Sequence, residues 1–488
     1  MSALSLTMRD GREATCAMDT LSGFRSRMRG SVLVAGDPQY GEARRIWNGA
    51  HDKRPAIIAR CSGVADVIEA VNFGRETGAL VAVRGGGHNV AGTSMCDGGL
   101  VIDLSPMKGI RVDPTARRAW AQAGATWGDL DRETQAFSLM TPGGNISSTG
   151  IAGLTLGGGM GWFRRAFGMS SDNVVSVDIV TADGQLRTVS EQEHDDLFWA
   201  IRGGGGNFGV VTSFEYQLHP LGPQVMLAAP MYAAEHAEQI VRYWRQCCED
   251  APDEFSSYVF FMTVPSGPPF PEALHGRRVV VLAAAWAGAV EEGAQRLQPL
   301  RECEPPLIDL SGPLTYVALQ SAFDWVFPKG NLYYWKTLTL DRLDDEAIAT
   351  VVSCATSSPS SGTVVGIWQL GGALSRRPAT TTAYGRRDEP FLVNIDSGWV
   401  EPRASDQNIA WTRDCWTALQ RFSRGGMYLN YGSLEPEEQV RAVYGQNYDR
   451  LVRIKDKYDP TNVFRLNQNI KPSGSIDRDI ATAGGTIT

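Results

Sequence analysis

The sequence has few of the features that mark a nucleic-acid scaffold or a membrane protein. Acidic residues outnumber basic ones by 54 to 46, and the net charge of −8 argues against a basic stripe that holds phosphates. No stretch reaches the ~18 consecutive apolar residues of a membrane span. The first residues carry charges where a signal peptide has its apolar run. We therefore predict a cytoplasmic protein that binds neither nucleic acid nor membrane.

Cysteine is also sparse and scattered. The eight cysteines form no CxxC pair and no Cys/His cluster at zinc spacing. A chain of 488 residues is long enough to bury a sizeable core without cross-links. We expect free, mostly buried thiols and no metal site.

Glycine, in contrast, is abundant and clustered. The chain has 53 glycines among 488 residues, well above the usual share of about 7%. They concentrate at 84–92, 143–161 and 203–209. Such clusters indicate that the backbone turns sharply or comes very close to another group.

The third cluster contains a literal G-x-G-x-x-G at Gly204, Gly206 and Gly209. A dinucleotide fingerprint requires a strand before the glycines and a helix after them. Here the pattern predicts a helix over 195–202 and a strand over 210–216, which is the reverse order. The sequence therefore argues against a Rossmann site.

The first two clusters leave alternatives open. Arg84-Gly-Gly-Gly-His-Asn follows a predicted strand, so its amide groups are able to converge on an anion beside His88, or the segment is a bare turn between strands. The tract 143–161 is too long for a turn. Its small residues suit close packing against a flat group, and a tightly packed hairpin is the other interpretation.

Composition and predicted secondary structure divide the chain into five segments. Residues 1–45 are predicted to be a poorly ordered lead-in with one helix. The block 46–221 alternates short strands with helices, 222–440 is rich in strands and aromatic residues, and 441–475 is mainly helical. A loose tail is expected at 476–488. Predicted elements of the second block are strands at 55–59, 80–83, 99–103, 109–113, 174–180 and 210–216 and helices at 62–78, 127–136 and 195–202.

Several motifs in order carry a resemblance to a known family. They are Arg84-Gly-Gly-Gly-His-Asn, Gly157-Gly-Gly-Met-Gly-Trp, Ser171-Asp-Asn-Val-Val-Ser, the run from Asp195 to Thr212, Tyr428-Leu-Asn-Tyr and the run from Tyr458 to Ile470. Together they resemble the FAD-linked oxidases of the vanillyl-alcohol oxidase superfamily, in the berberine-bridge-enzyme-like branch. The resemblance covers about 50–475.

The family implies an α+β fold. Residues 46–221 would form a PCMH-type FAD-binding domain built from two α/β subdomains. Residues 222–440 would form a substrate domain, an antiparallel sheet covered by helices. The segment 441–475 would return to the FAD domain.

The resemblance also implies an FAD site. The turn 84–89 would hold the pyrophosphate, and a ring nitrogen of His88 would be bonded to the flavin 8α-methyl. The tract 143–161 would line the ring and ribityl chain, while 171–175 and Gly209-Val210 would flank the adenine half. The implied FAD contacts are Arg84, Gly85, Gly86, Gly87, His88, Asn89, Ser94, Ser148, Thr149, Gly150, Gly153, Gly158, Gly161, Asp172, Asn173, Val174, Gly209, Val210, Tyr431, Asn467 and Asn469.

One departure from the family pattern concerns a second covalent link. Many relatives carry it on a cysteine whose position here is Ile146, and no cysteine lies between 97 and 246. We therefore predict a single covalent bond, through His88. A singly linked flavin would have a lower potential and a more open pocket.

The substrate side is predicted from aromatic and polar residues of 222–440. Each aromatic residue taken alone is better explained as part of the core, whereas the group as a whole is expected to shape an apolar cavity. Tyr431 matches the position of a catalytic tyrosine in bacterial relatives, and Tyr428 or Lys336 would have to lower its pKa. Asn394 stands where plant enzymes carry a catalytic glutamate, and Asp396 on the same strand face is the alternative base. Candidate substrate contacts are Trp335, Trp368, Gln369 and Trp399.

The predicted function is an FAD-dependent oxidase. It would remove a hydride from a C–OH or C–N carbon of a small, secondary-metabolite or alkaloid-like substrate and pass the electrons to dioxygen, giving hydrogen peroxide. One alternative is a dehydrogenase that uses another acceptor. The other alternative, from a different functional class, is a non-catalytic flavin-binding protein.

Overall fold

The computed structural model describes residues 4–474, and the predicted tail at 476–488 lies outside them. A four-stranded sheet forms the first layer of the N-terminal half, in the spatial order Val32–Leu33, Ile57–Arg60, Leu100–Asp103, Val81–Arg84. The last three strands are parallel. Helix Val64–Thr77 crosses between two of them. The strand Val81–Arg84 therefore delivers the 84–89 turn at its carboxyl end.

The lead-in is more ordered than the sequence predicted. Strands Leu4–Thr7 and Glu13–Cys16 form an antiparallel hairpin, followed by helix Met18–Arg27. Leu6, Leu21 and Phe24 are buried in the same core as the first sheet. The expectation of poor order was wrong because mixed surface charge concealed this small set of inward-facing apolar residues.

A second, antiparallel sheet completes the N-terminal half. Helix Trp127–Gln135 begins with a capping box in which Thr126 and Asp129 satisfy each other's backbone amides. Helix Ile151–Leu156 lies within the second glycine cluster, and helix Asp195–Ile201 directly precedes the third. In spatial order the five strands are Leu186–Ser190, Val174–Val180, Val210–Gln217, Arg118–Gln122 and Ile110–Asp113.

The 222–440 segment contains a nine-stranded antiparallel sheet. Its outer face is covered by helices Ala237–Glu249, Val290–Glu302, Asp345–Thr356 and Ser405–Leu419. Strands Gln224–Ala228 and Gly312–Thr315 pair at one side of the main path. The main path runs Ile308–Asp309, Pro230–Ala233, Arg278–Trp286, Phe255–Thr263, Val364–Gln369, Phe391–Trp399 and Leu332–Leu340.

The two faces of this sheet have different environments. Successive strand residues point to opposite faces. Val393 and Ile395 pack with the outer helices, as do Val365 and Ile367. Their neighbours Asn394, Asp396 and Trp368 face the N-terminal half of the molecule. This inner face becomes one wall of the candidate site.

The C-terminal segment returns to the N-terminal half as helices Glu437–Tyr444 and Tyr448–Tyr458. A fully buried ion pair ends the second helix, where the Lys455 ammonium lies 2.7 Å from the Asp459 carboxylate. The Asp459 carboxylate also accepts the amide hydrogens of Val463 and Phe464. Lys455 donates to the Asn207 carbonyl. The Tyr458-Asp-Pro-Thr motif thereby holds the C-terminal loop against the third glycine cluster.

The α+β architecture agrees with the sequence expectation, including the antiparallel sheet covered by helices. All eight cysteines are free, and Cys16, Cys61, Cys96, Cys354 and Cys415 are buried. Within 4–474, no helix has the length and apolarity that a membrane crossing requires.

Candidate active site

A cavity of about 280 Å³ lies between the glycine-rich loops and the inner face of the nine-stranded sheet. It combines residues from all three glycine clusters with residues of the sheet and the C-terminal loop. Predicted site residues that line it are Gly85, Gly86, Gly87, His88, Asn89, Ser94, Thr149, Gly150, Gly153, Gly209, Asn467, Tyr431, Asn394, Asp396, Trp335 and Trp368.

The first two glycine clusters meet backbone to backbone. A Cβ placed on Gly86 would lie 2.5 Å from the Gly150 nitrogen, and one on Gly150 would lie 2.4 Å from the Gly86 nitrogen. Gly87 has a φ of 69°, the left-handed region that orients successive amide groups toward a common point. The two clusters therefore form one cradle that side chains would fill.

His88 projects from this cradle and is held on one face by Trp47. The two ring centroids are 4.3 Å apart with an interplanar angle of 16°. Its Nε2 atom is 3.4 Å from the Ser148 hydroxyl. Burial lowers the pKa of His88 to about 4, so the imidazole is neutral near pH 7 and keeps a free nitrogen lone pair.

The third cluster lines the same cavity. Helix Asp195–Ile201 precedes it and strand Val210–Gln217 follows, which is the reverse of a dinucleotide fingerprint, as predicted. Yet Gly203, Gly204, Gly205, Gly206 and Asn207 all contact the cavity, and sequence reasoning used only Gly209 and Val210 from this region. The sequence analysis noted this cluster but tested it only as a dinucleotide fingerprint, whereas the clustering is a signal that does not depend on the order of the neighbouring elements.

The cavity suits an elongated, anionic cofactor such as FAD. None of the lining residues in the described part of the chain is Lys or Arg, so a pyrophosphate there would rely on backbone amides. The Oδ1 atom of Asn467 and the hydroxyl of Ser94 are buried without a protein partner, and both residues line the cavity. These orphaned polar atoms and the glycine cradle fit a ligand with several hydrogen-bonding groups.

The opposite wall is largely apolar. Asn394 and Asp396 supply its polar side chains from strand Phe391–Trp399. The aromatic rings surround Tyr431, with Trp335 and Trp368 edge-on to it at centroid distances of 5.6 and 5.5 Å. Apolar wall residues that sequence reasoning missed are Phe260, Met262, Phe323, Val326, Phe327 and Val364. Nothing in the sequence separates them from ordinary core residues.

Asn394 and Asp396 form a buried dyad. The Asn394 amide donates to one Asp396 oxygen, while the other Asp396 oxygen and the Asn394 oxygen have no partner within the described residues. Gly366 lies directly across from Asn394, where a Cβ would be 2.4 Å from the Asn394 oxygen. Burial raises the pKa of Asp396 well above its ordinary value, and the Asn394 hydrogen bond opposes this.

The two tyrosines differ in environment. Burial is the main cause that raises the pKa of Tyr431 well above its usual value, and the nearby Tyr428 and Asp396 raise it further. The Tyr428 hydroxyl accepts amide hydrogens from Gly159 and Met160 and the side-chain amide hydrogen of Asn430. Burial raises the pKa of Tyr428 to about 12. Tyr428 lies outside the cavity lining, so its predicted catalytic role finds no support in the geometry.

Three further predicted residues on the sheet point away from the cavity. Lys336 forms a 2.7 Å ion pair with Glu435 and cannot assist Tyr431 directly. Gln369 accepts from Ser257, and Trp399 donates to Ser405. Each is an odd number of residues from a lining residue on its own strand, so strand alternation turns it to the other face.

The predicted adenine-flanking residues other than Gly209 lie outside the cavity lining, and the polar ones are used in the protein's own packing. Asp172 forms a bidentate, fully buried ion pair with Arg387, at 2.9 and 2.8 Å. Asn173 donates to the carbonyls of Phe167 and Met169. Val174 and Val210 are strand residues outside the cavity lining.

The remaining predictions lie at the margin of the site. Arg84 donates to the Ala43 carbonyl and lies near Asp103, behind the cradle. A Cβ on Gly158 would lie 2.4 Å from the Met169 methyl group, and one on Gly161 would overlap the Gly143 carbonyl, so both glycines serve internal packing. Asn469 is also outside the lining, and Ser148 reaches the site only through His88.

Ile146, the position predicted to lack a second covalent link, lines the cavity. The structure thus brings this side chain to the cavity, as the resemblance implied for the position of a second link. Its apolar side chain offers no nucleophile.

Two family models match this chain. The FAD binding domain model matches residues 55–190. The model described as berberine and berberine like matches residues 427–471. Both matched segments contribute residues to the cavity described above.

Several known proteins are similar over nearly the whole chain. The FAD-linked oxidoreductase YgaK of Bacillus subtilis is 31% identical, covering 92% of this chain and 98% of its own. The (R)-6-hydroxynicotine oxidase of Paenarthrobacter nicotinovorans is 32% identical, with the same coverages of 92% and 98%. The crystal structure of 6-hydroxy-D-nicotine oxidase from Arthrobacter nicotinovorans superposes with a TM-score of 0.82 at 27% identity, covering 91% of this chain and 98% of that chain.

Proposed function

This chain belongs to the berberine-bridge-enzyme-like FAD-linked oxidoreductases, and we propose that it is an oxidase for a small, ring-bearing substrate. Bound FAD would supply the hydride acceptor, and dioxygen would be the final electron acceptor, giving hydrogen peroxide. The observation that carries the proposal is the meeting, in one cavity, of a glycine cradle with His88 and an apolar wall with one carboxyl group.

We propose that His88 is the single covalent attachment point of FAD. The neutral imidazole has a lone pair available for the flavin 8α-carbon. Formation of the N–C bond would release one hydrogen from each partner, and dioxygen would take up both, with two electrons, as hydrogen peroxide. The apolar Ile146 leaves no second nucleophile at the position used by relatives.

Asp396 is the proposed base. It takes the heteroatom proton of the substrate while a hydride leaves the adjacent carbon. Burial raises the pKa of Asp396, which makes its carboxylate a stronger base once it is ionised, and its second oxygen has no partner among the described residues and is free to accept a proton. Tyr431, whose pKa is raised further from neutral, is assigned to orienting the substrate ring.

The charge of the cavity limits the substrate class. Among the described lining residues, Asp396 is the only carboxylate and none is a cation, which favours a neutral or cationic substrate over an anionic one. The aromatic wall provides ring stacking and few hydrogen bonds, which suits a heteroaromatic or alicyclic amine or alcohol better than a sugar. The name of the relative (R)-6-hydroxynicotine oxidase is consistent with such a substrate.

The test begins with the cofactor. Wild type and His88→Ala would be denatured in acid and filtered, and the visible spectra of both fractions recorded. We expect flavin colour to stay with the wild-type chain and to leave the His88→Ala chain. Free flavin from the wild type would refute the covalent bond, and a folded protein that never binds FAD would refute the oxidase.

The test then turns to catalysis. Aromatic secondary amines and alcohols would be screened anaerobically for flavin bleaching, then aerobically for peroxide. Bleaching with stoichiometric peroxide supports an oxidase. Bleaching without reoxidation by dioxygen would indicate a dehydrogenase, and flavin that no compound bleaches would indicate a binding protein.

A further inference from the structure

Trp47 and Tyr333 form a continuous aromatic stack behind His88. The Trp47 ring is 4.3 Å from the His88 ring on one face and 4.1 Å from the Tyr333 ring on the other, with interplanar angles of 16° and 8°. Trp47 is 4% exposed. The imidazole therefore rests on a rigid surface that extends into the substrate domain.

The position of Trp47 is fixed by hydrogen bonds on both sides. Its backbone amide donates to the Gly87 carbonyl, at 3.0 Å. Its indole N–H donates to the Phe327 carbonyl of the substrate domain, also at 3.0 Å. Its carbonyl accepts from the Gly330 amide, at 2.9 Å. The ring thus cannot rotate without breaking contacts to the cradle and to the opposite domain.

The neighbouring residue strengthens the same junction. The Asn48 side-chain amide donates to the carbonyls of Val90 and Tyr333, and its oxygen accepts from the Tyr333 amide. The turn that carries His88 and the strand Leu332–Leu340 are therefore joined through Trp47 and Asn48.

We propose that Trp47 is the positioning residue for flavin attachment: by stacking on the His88 ring, it would hold the imidazole in a single orientation for bonding to the flavin 8α-carbon. The inference rests on the covalent link proposed above. Attack by a ring nitrogen requires its lone pair to be aligned with the carbon, and fixing one conformer of the imidazole raises the fraction of encounters that react. Trp47 does not bond to the flavin and acts through His88.

The stack also makes attachment depend on the substrate domain. Tyr333 and the Phe327 carbonyl, which fix Trp47, belong to that domain. Attachment is therefore expected only after the two domains have docked.

The experiment measures attachment separately from binding. Wild type, Trp47→Leu, Trp47→Phe and Tyr333→Leu would be produced under riboflavin limitation and then incubated with excess FAD in air. Covalent flavin would be followed over time by acid precipitation, while non-covalent affinity would be measured from flavin fluorescence and folding from the melting temperature. Trp120→Leu, at a half-buried tryptophan on strand Arg118–Gln122, is the matched control.

We expect Trp47→Leu to slow covalent attachment about tenfold, and Trp47→Phe and Tyr333→Leu about threefold, with FAD affinity within twofold of wild type. Trp120→Leu should attach FAD at the wild-type rate. Wild-type attachment rates in Trp47→Leu would overturn the inference. If that variant does not fold, wild-type rates in both Trp47→Phe and Tyr333→Leu would overturn it. Wild-type protein that binds FAD without ever attaching it would instead refute the covalent link.

Discussion

At the scale of single residues, several buried groups inside and outside the site have pKa values that differ from those in water. His88 and His219 both have a pKa lowered to about 4, in each case chiefly by burial. Burial raises the pKa of Asp396, because the uncharged form of a carboxyl group is the protonated one. Burial disfavours the charged form in all three, so at neutral pH the histidines are neutral, and the ionised form of Asp396 has to be stabilised by its partners.

His219 gives a pH-dependent stability that can be measured. In the unfolded chain His219 binds a proton below its ordinary pKa of about 6.5, whereas in the folded chain it binds one only below about pH 4. The free energy of unfolding therefore falls as the pH decreases from about 6.5 to about 4. We expect His219→Gln to lose less stability than wild type between pH 7.5 and 5. Urea unfolding at both values measures this, and equal losses in the two proteins would contradict it.

Asp396 governs the chemical step in the proposed mechanism. Asp396→Asn should reduce the rate of flavin bleaching by about 10²–10⁴-fold, because the proton acceptor is lost while the shape is kept. Tyr431→Phe should reduce it less, since the ring remains. Stopped-flow reduction with a substrate found by the screen measures both. A larger loss in Tyr431→Phe would transfer the role of base to Tyr431.

At the scale of elements, strand alternation decides which residues of the nine-stranded sheet reach the cavity. The sequence allowed Asn394 and Asp396 to be placed together, because they are two residues apart on one strand. It did not exclude Lys336, Gln369 and Trp399, because alternation predicts a face only when the register relative to a known inward residue is available. The cross-strand pairing of Trp335 with Asp396 and of Asn394 with Gly366 supplies that register.

Gly366 is the element-level determinant of the dyad. In Gly366→Ala the new methyl group would displace the Asn394 side chain, 2.4 Å away, and break its bond to Asp396. Since that bond lowers the pKa of Asp396, we expect the pKa to rise further. The pKa of Asp396 is measured by infrared detection of its protonated carboxyl group across pH, and Asp396→Asn identifies the band that belongs to this residue. Gly312→Ala, on the same sheet with open space around it, should leave the pKa unchanged.

At the scale of the whole molecule, the two halves are joined by buried polar contacts as well as by apolar packing. Asp172 in the N-terminal half and Arg387 in the loop before strand Phe391–Trp399 are both nearly inaccessible. The motif around Asp172 was predicted to hold the adenine half of FAD. The sequence did not predict the ion pair between Asp172 and Arg387, because a partner 215 residues away leaves no local pattern.

This ion pair should contribute to stability. Arg387→Leu leaves the Asp172 carboxylate buried without its partner, and we expect a loss of about 3–5 kcal/mol in the free energy of unfolding. Arg377, 3.9 Å from the same carboxylate and 42% exposed, is the matched control, and Arg377→Leu should cost less than about 1 kcal/mol. Denaturant titration measures the free energy of unfolding of both variants. Similar losses in Arg387→Leu and Arg377→Leu would contradict the prediction.

The contact between Gly86 and Gly150 has a consequence for how this chain can change over generations. The space that a Cβ would need on either residue is filled by the other's backbone, so no substitution at one position makes room at the other. Compensating pairs of mutations are therefore not available there. Gly86 and Gly150 are in direct contact but would show no correlated variation among descendant sequences. Methods that infer contacts from covariation would therefore miss this one.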